Sequence, residues 1–125
     1  MKNTLALLAT LAFLGLHGLA LAAGDPVEGE KLIEEIKCGK CHKLTEQNFV
    51  GPGWKGVTKR RSEGWLKKWL SDPQATWEEN DEETQALRNW KDGRTTAKKT
   101  NMKIRKLSPE EVEHIIAFLE KNDAE

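Results

Sequence analysis

Cys38-Gly39-Lys40-Cys41-His42 narrows the possible folds of this chain more than any other run. Two thiols three positions apart, followed directly by an imidazole, suit covalent capture of haem. On one turn of helix, positions i, i+3 and i+4 share a face. Both sulfurs would then reach the porphyrin's two vinyl groups, and His42 would be held against the iron as an axial ligand. A chain stapled to a porphyrin in this way has to fold around it.

Other readings of the cysteine pair each lack something. A zinc site of the usual kind needs four ligands, and the only further histidine outside the leader is the distant His114. A thioredoxin-like redox pair belongs just after a strand in a βαβ pattern, whereas the flanks read as helix and no convincing strand occurs. A plain disulfide closes a tiny loop and leaves His42 without a purpose.

Met1-Lys2-Asn3 precedes an uncharged, mostly apolar stretch ending in the small residues Ala20, Ala22 and Ala23. Residues 1–22 therefore read as a secretory signal peptide. The stretch also approaches the roughly 20 residues that span a bilayer, so an uncleaved anchor is the alternative. Either way the remaining domain, residues 23–125, is exported. It is long enough for one small domain with a modest core. Five Trp and three Phe are few for so polar a chain, and a buried porphyrin would supply missing apolar volume. The 20 basic and 20 acidic residues balance, which argues against bulk nucleic-acid binding.

The domain reads as all-α, with four to five short helices around one covalently bound haem and no internal repeat. Asp25-Pro26-Val27-Glu28 opens the first helix with an N-cap, a proline at the first position and a capping glutamate. Leu32, Ile33 and Ile36 form its apolar side, and it is expected to run on to deliver Cys38–His42. Gly29 would let another helix cross closely. Gly51-Pro52-Gly53-Trp54-Lys55-Gly56-Val57 must be a rigid loop able to line a pocket. Ser62 opens a short helix carrying Trp65, Leu66, Trp69 and Leu70, which stops near Pro73; its tryptophans fit either core packing or haem contact. A further helix is expected from Thr76 to about Trp90, ended by Gly93, with the acidic run Glu78–Glu83 as a solvated face near its start. Arg94 to Lys106 reads as loop. Ser108-Pro109-Glu110-Glu111 is a second capping box, and Val112, Ile115, Ile116 and Leu119 give the last helix, to about Lys121, a face that must be buried.

The second iron ligand decides between electron carriage and substrate binding. Met102 is the leading candidate, being the only methionine besides the initiator and lying in a polar loop. Its soft, neutral thioether favours ferrous iron. The bland alternative is a gap-filling side chain. His114 reads as a boundary histidine, and Lys98, Lys99 and Lys103 could ligate only if deprotonated.

A helix leading to CxxCH, a Gly-Pro loop, a Met-bearing loop and a final amphipathic helix together resemble a class I cytochrome c. The resemblance covers nearly the whole mature chain, and Gly51–Val57 is similar to that family's Gly-Pro-x-Leu-x-Gly-Val loop. It implies one haem c bound through Cys38 and Cys41, with His42 and Met102 on the metal. Pro52 would accept a hydrogen bond from His42 and so tune its basicity. The resemblance further implies an exported, periplasmic electron carrier rather than an enzyme. In departure from the family pattern, Trp54 replaces the usual leucine on the proximal side. No tyrosine is present, so donors to a haem propionate would come from Trp77, Trp90, Arg60 or Arg61. The Met loop reads Thr100-Asn101-Met102-Lys103, without the proline that often follows the ligand.

Between Arg88 and Lys106 lie Arg88, Lys91, Arg94, Lys98, Lys99, Lys103, Arg105 and Lys106, opposed by Asp92. A basic rim beside the ligand loop would steer an acidic protein redox donor or acceptor. A membrane enters only if the leader stays uncleaved. The rival function is a haem enzyme subunit or small-ligand sensor with an open sixth iron position.

Overall fold

The computed structural model describes residues 24–125. The signal peptide or anchor expected over residues 1–22 lies outside the described residues. Among the described residues no helix is long and apolar enough to cross a membrane. Those residues form helices α1 (Pro26–Glu35), α2 (Val57–Arg60), α3 (Glu63–Ser71), α4 (Pro73–Glu79), α5 (Glu82–Arg88) and α6 (Pro109–Ala124), with a 3-10 turn at Cys38–Lys40 and no strand.

The two expected capping signals start the two helices that organise the core. Asp25 Oδ1 accepts the Val27 amide at 2.8 Å. Ser108 Oγ accepts the Glu111 amide at 3.2 Å, and Glu111 Oε2 returns the contact to the Ser108 amide at 2.8 Å. Helix α6 then buries Val112, Ile115, Ile116, Phe118 and Leu119, each contributing about 1.5–3 kcal/mol when fully withdrawn from water. Its main partner is α1, followed by α3 and α2. The α1–α6 crossing is tight at Gly29, where a Cβ would stand 2.0 Å from the His114 carbonyl oxygen and 2.9 Å from Phe118 Cβ. The helix axes can approach this closely only because the glycine has no side chain.

The structure bears out the all-α fold and differs from the sequence expectations in its helix boundaries and number. Helix α1 does not continue into the cysteine motif: Ile36 closes it, and Lys37 turns into the left-handed region at φ 61°. The single helix expected from Thr76 to Trp90 is two, because Asn80 takes φ 51° and Asp81 starts α5 by accepting the Thr84 amide at 2.8 Å. With the one-turn α2, the helices number six where four or five were expected. The last helix also runs three residues beyond Lys121, to Ala124.

The acidic run is used for capping and pairing. Lys68 bridges Glu79 and Asp81, and Glu83 accepts from the Ser62 amide and hydroxyl.

Candidate functional site

Turning left-handed costs a non-glycine residue roughly 1–2 kcal/mol, and at Lys37 it redirects the chain into the 3-10 turn. There the Cys41 and His42 amides both donate to the Cys38 carbonyl, at 3.1 and 3.0 Å. Cys38 is half-buried and Cys41 exposed, with no disulfide between them. Among the described residues no group of three or more His, Cys, Asp or Glu side chains is placed to hold a metal ion.

The Gly-Pro loop closes over His42. The Gly51 amide donates to the Cys41 carbonyl at 2.7 Å and the Trp54 amide to the Lys43 carbonyl at 2.9 Å. His42 Nδ1 lies 2.8 Å from the Pro52 carbonyl oxygen. A carbonyl only accepts, so Nδ1 carries the proton and Nε2 keeps its lone pair. Burial lowers the His42 pKa and outweighs the opposing Pro52 bond, so the ring is neutral at neutral pH. Trp54 stacks on it, ring centroids 5.1 Å apart.

The loop itself is fixed from α6 by Asp123, a residue that none of the sequence motifs singles out. Its carboxylate accepts the Gly56 amide at 2.6 Å, the Thr58 amide at 2.8 Å and the Thr58 hydroxyl at 2.6 Å, and so caps α2 from outside. The signal was available: Asp123 continues the Val112, Ile116, Leu119 stripe by one more helical step.

Met102 enters the same space from the irregular segment before α6. Its sulfur accepts the Trp69 indole N–H at 3.0 Å, and its amide donates to Thr100 Oγ1 at 3.2 Å. Trp69 stacks on Trp65, centroids 5.2 Å apart, and the buried Trp65 spends its own N–H on Thr84 Oγ1 at 2.9 Å. Both rings line the hollow as well as packing in or against the core, so the two readings of this pair are not exclusive.

Cys38, His42, Pro52, Trp54 and Met102 all line one hollow of about 310 Å³. Cys41 joins Cys38, His42, Pro52 and Met102 around an adjoining hollow of about 180 Å³. The larger falls within the roughly 300–1,000 Å³ usual for small-molecule and cofactor sites. Its remaining walls are largely apolar, from Ile36, Val57, Leu66, Leu70, Leu87 and Ile115. Two thiols, a neutral imidazole with a free lone pair and a thioether around apolar walls are a donor set that fits haem. His114 is outside both hollows, and its Nδ1 accepts the Asp25 amide at 2.9 Å. Of the candidate propionate donors, Trp77 gives its N–H to the Ala97 carbonyl at 2.8 Å. Arg60 is engaged with the Lys55 and Gly53 carbonyls, while Arg61 and Trp90 line the larger hollow.

The family model described as Cytochrome c matches residues 26–123. Cytochrome c-554 of Methylosinus trichosporium is 42% identical over 62 residues, 48% of this chain and 46% of that protein. The aligned part thus spans about half the length of that curated relative. No solved structure matches. With the family match running almost from the start of α1 to the end of α6, around a hollow that carries the attachment cysteines, the chain belongs to the cytochrome c family and binds haem c covalently through Cys38 and Cys41.

Proposed function

We propose that the protein is an exported monohaem electron carrier, passing single electrons between protein partners, with His42 and Met102 as the two axial ligands. Haem, once attached, supplies an iron that gains and loses one electron reversibly. The chain's own residues set the conditions. Pro52 fixes the His42 tautomer and raises its basicity through the 2.8 Å contact. Met102 offers a soft, neutral sulfur that favours the reduced metal. The Trp69 N–H holds that sulfur, and apolar walls limit the solvent that must reorganise when charge changes. The observation that carries the reading is that His42 and Met102 line the same hollow while each is restrained by its own hydrogen bond.

Charge on the Met102 segment supports docking to an acidic partner, with fewer cations available than the sequence count. Arg88, Arg94 and Arg105 are occupied by internal carbonyls or by Glu35 and Glu111. Lys91, Lys98, Lys99, Lys103 and Lys106 remain exposed. Export rests on the apolar leader at residues 1–22, and the periplasm is the compartment it fits.

The test is the ferric absorption spectrum of the haem-loaded protein and of Met102→Ala. A weak long-wavelength sulfur-to-iron band in the parent, absent from the variant, is expected. The same spectrum from both would overturn the Met102 assignment.

A further inference from the structure

The segment that carries Met102 has little backbone pairing of its own, and side chains from α4 and α5 fasten it instead. Arg88, the last residue of α5, lies over the Trp77 ring with its guanidinium carbon 4.0 Å from the centroid. One nitrogen donates to the Thr95 and Ala97 carbonyls at 3.2 and 3.0 Å, and another to the Trp77 carbonyl at 2.7 Å. Trp77 Nε1 donates to the same Ala97 carbonyl at 2.8 Å, so both lone pairs of that oxygen are taken. A second brace continues towards the ligand. Gln74 on α4 accepts the Thr100 amide at 3.1 Å, and the buried Thr100 accepts the Met102 amide at 3.2 Å.

We infer that Arg88 is a positioning residue for Met102: its guanidinium, clamped on Trp77, ties the ligand segment to α5 and sets how often Met102 leaves the iron. Arg88 touches no reacting atom. Its Nε is buried and has no hydrogen-bond partner among the described residues, whereas a cation serving only to attract a partner would keep that donor in water. The planar fork matters because it reaches three carbonyls while stacking on an indole, which an ammonium cannot copy.

The proposal rests on Met102 being the sixth ligand, and the experiment separates the two claims. Haem-loaded parent, Arg88→Gln, Arg88→Lys, Trp77→Phe and the control Val112→Ala, which loosens the core at α6 away from the hollow, are compared. The readouts are the ferric sulfur-to-iron band and the rate at which cyanide reaches ferric iron. Cyanide binds only when the ligand segment opens, so Arg88→Gln is expected to react about tenfold faster, the change produced by about 1.4 kcal/mol of lost anchoring. Arg88→Lys and Trp77→Phe should fall between it and the parent, and they keep the comparison available if Arg88→Gln fails to fold. Val112→Ala should lower the melting temperature with little change in cyanide rate. An Arg88→Gln rate no higher than that of Val112→Ala, with the band present in the parent, overturns the clamp alone. A parent without the band overturns the Met102 assignment and the clamp with it.

Discussion

Gly51→Ala places a methyl group where the structure has the His42 ring. The added Cβ would stand 2.5 Å from His42 Cε1 and 2.8 Å from Nδ1, short of the 3.5–4.0 Å of favourable carbon contact by roughly 1 Å. The ring cannot simply swing away, because its backbone is pinned to the Cys38 carbonyl and Trp54 stacks on it. A displacement of roughly 1 Å takes the 2.8 Å contact with the Pro52 carbonyl out of hydrogen-bonding range. Overpacking of this kind costs about 1–3 kcal/mol, and the lost bond about 1 kcal/mol more. Offsetting this, alanine lowers unfolded-chain entropy, worth about 0.4–1 kcal/mol. The net loss is about 1–3 kcal/mol, or a fall in melting temperature of roughly 5–20 °C for a domain of this size. With Nδ1 released, the imidazole becomes a poorer donor to ferric iron, so the reduction potential should rise by tens of millivolts, against about 59 mV per tenfold for one electron. Gly64→Ala on α3 is the matched control, since a Cβ there meets nothing within 4 Å; it should be neutral or slightly stabilising, with no change in potential. Thermal melts and voltammetry of the haem-loaded proteins decide it. A Gly51→Ala protein as stable as the parent, at the same potential, would refute the reasoning.

Trp69→Phe removes the N–H that draws electron density from the Met102 sulfur. The potential should fall by tens of millivolts, again scaled against about 59 mV per tenfold, with the sulfur-to-iron band retained. Asp123→Asn should cost about 1–3 kcal/mol at neutral pH. Burial alone would raise the Asp123 pKa, but the Thr58 and Gly56 donors, aided by Arg60, outweigh it and hold it below the ordinary value. A depressed pKa gives stability that is present above the unfolded value of about 3.9 and is lost as pH falls through the folded one. Melting temperature against pH should therefore drop more steeply below about pH 4 in the parent than in Asp123→Asn. Stopped-flow association with an acidic redox partner should slow as ionic strength rises. Reversing Lys98, Lys99 and Lys103 to Glu should remove most of that dependence.

The elements with strong local codes were readable from residues alone. Asp25-Pro26 and Ser108-Pro109 start helices in the structure because their side chains cap amides within their own first turn. Gly29 meets α6 because its missing side chain and the α6 stripe are both written in the chain. The six candidate site residues, Cys38, Cys41, His42, Pro52, Trp54 and Met102, all reach the paired hollows. What could not be read depends on contacts between distant segments or on conformations that the residue type disfavours. Lys37 and Asn80 turn left-handed where no glycine marks the turn, so α1 looked longer and α4 and α5 looked like one helix. Asp123 and Arg88 look like surface charges until tertiary folding brings the α2 amides and the Thr95 and Ala97 carbonyls to them. Periodicity places Asp123 on the buried face of α6 without naming its partners, and nothing in the local sequence marks Arg88.

Whether both axial positions are filled from within the chain is tested most directly by exposing the reduced, haem-loaded protein at neutral pH to carbon monoxide. A carrier ligated by His42 and Met102 should keep its ferrous spectrum unchanged. Prompt conversion to the carbon monoxide form would mean an open iron position, and would contradict the account.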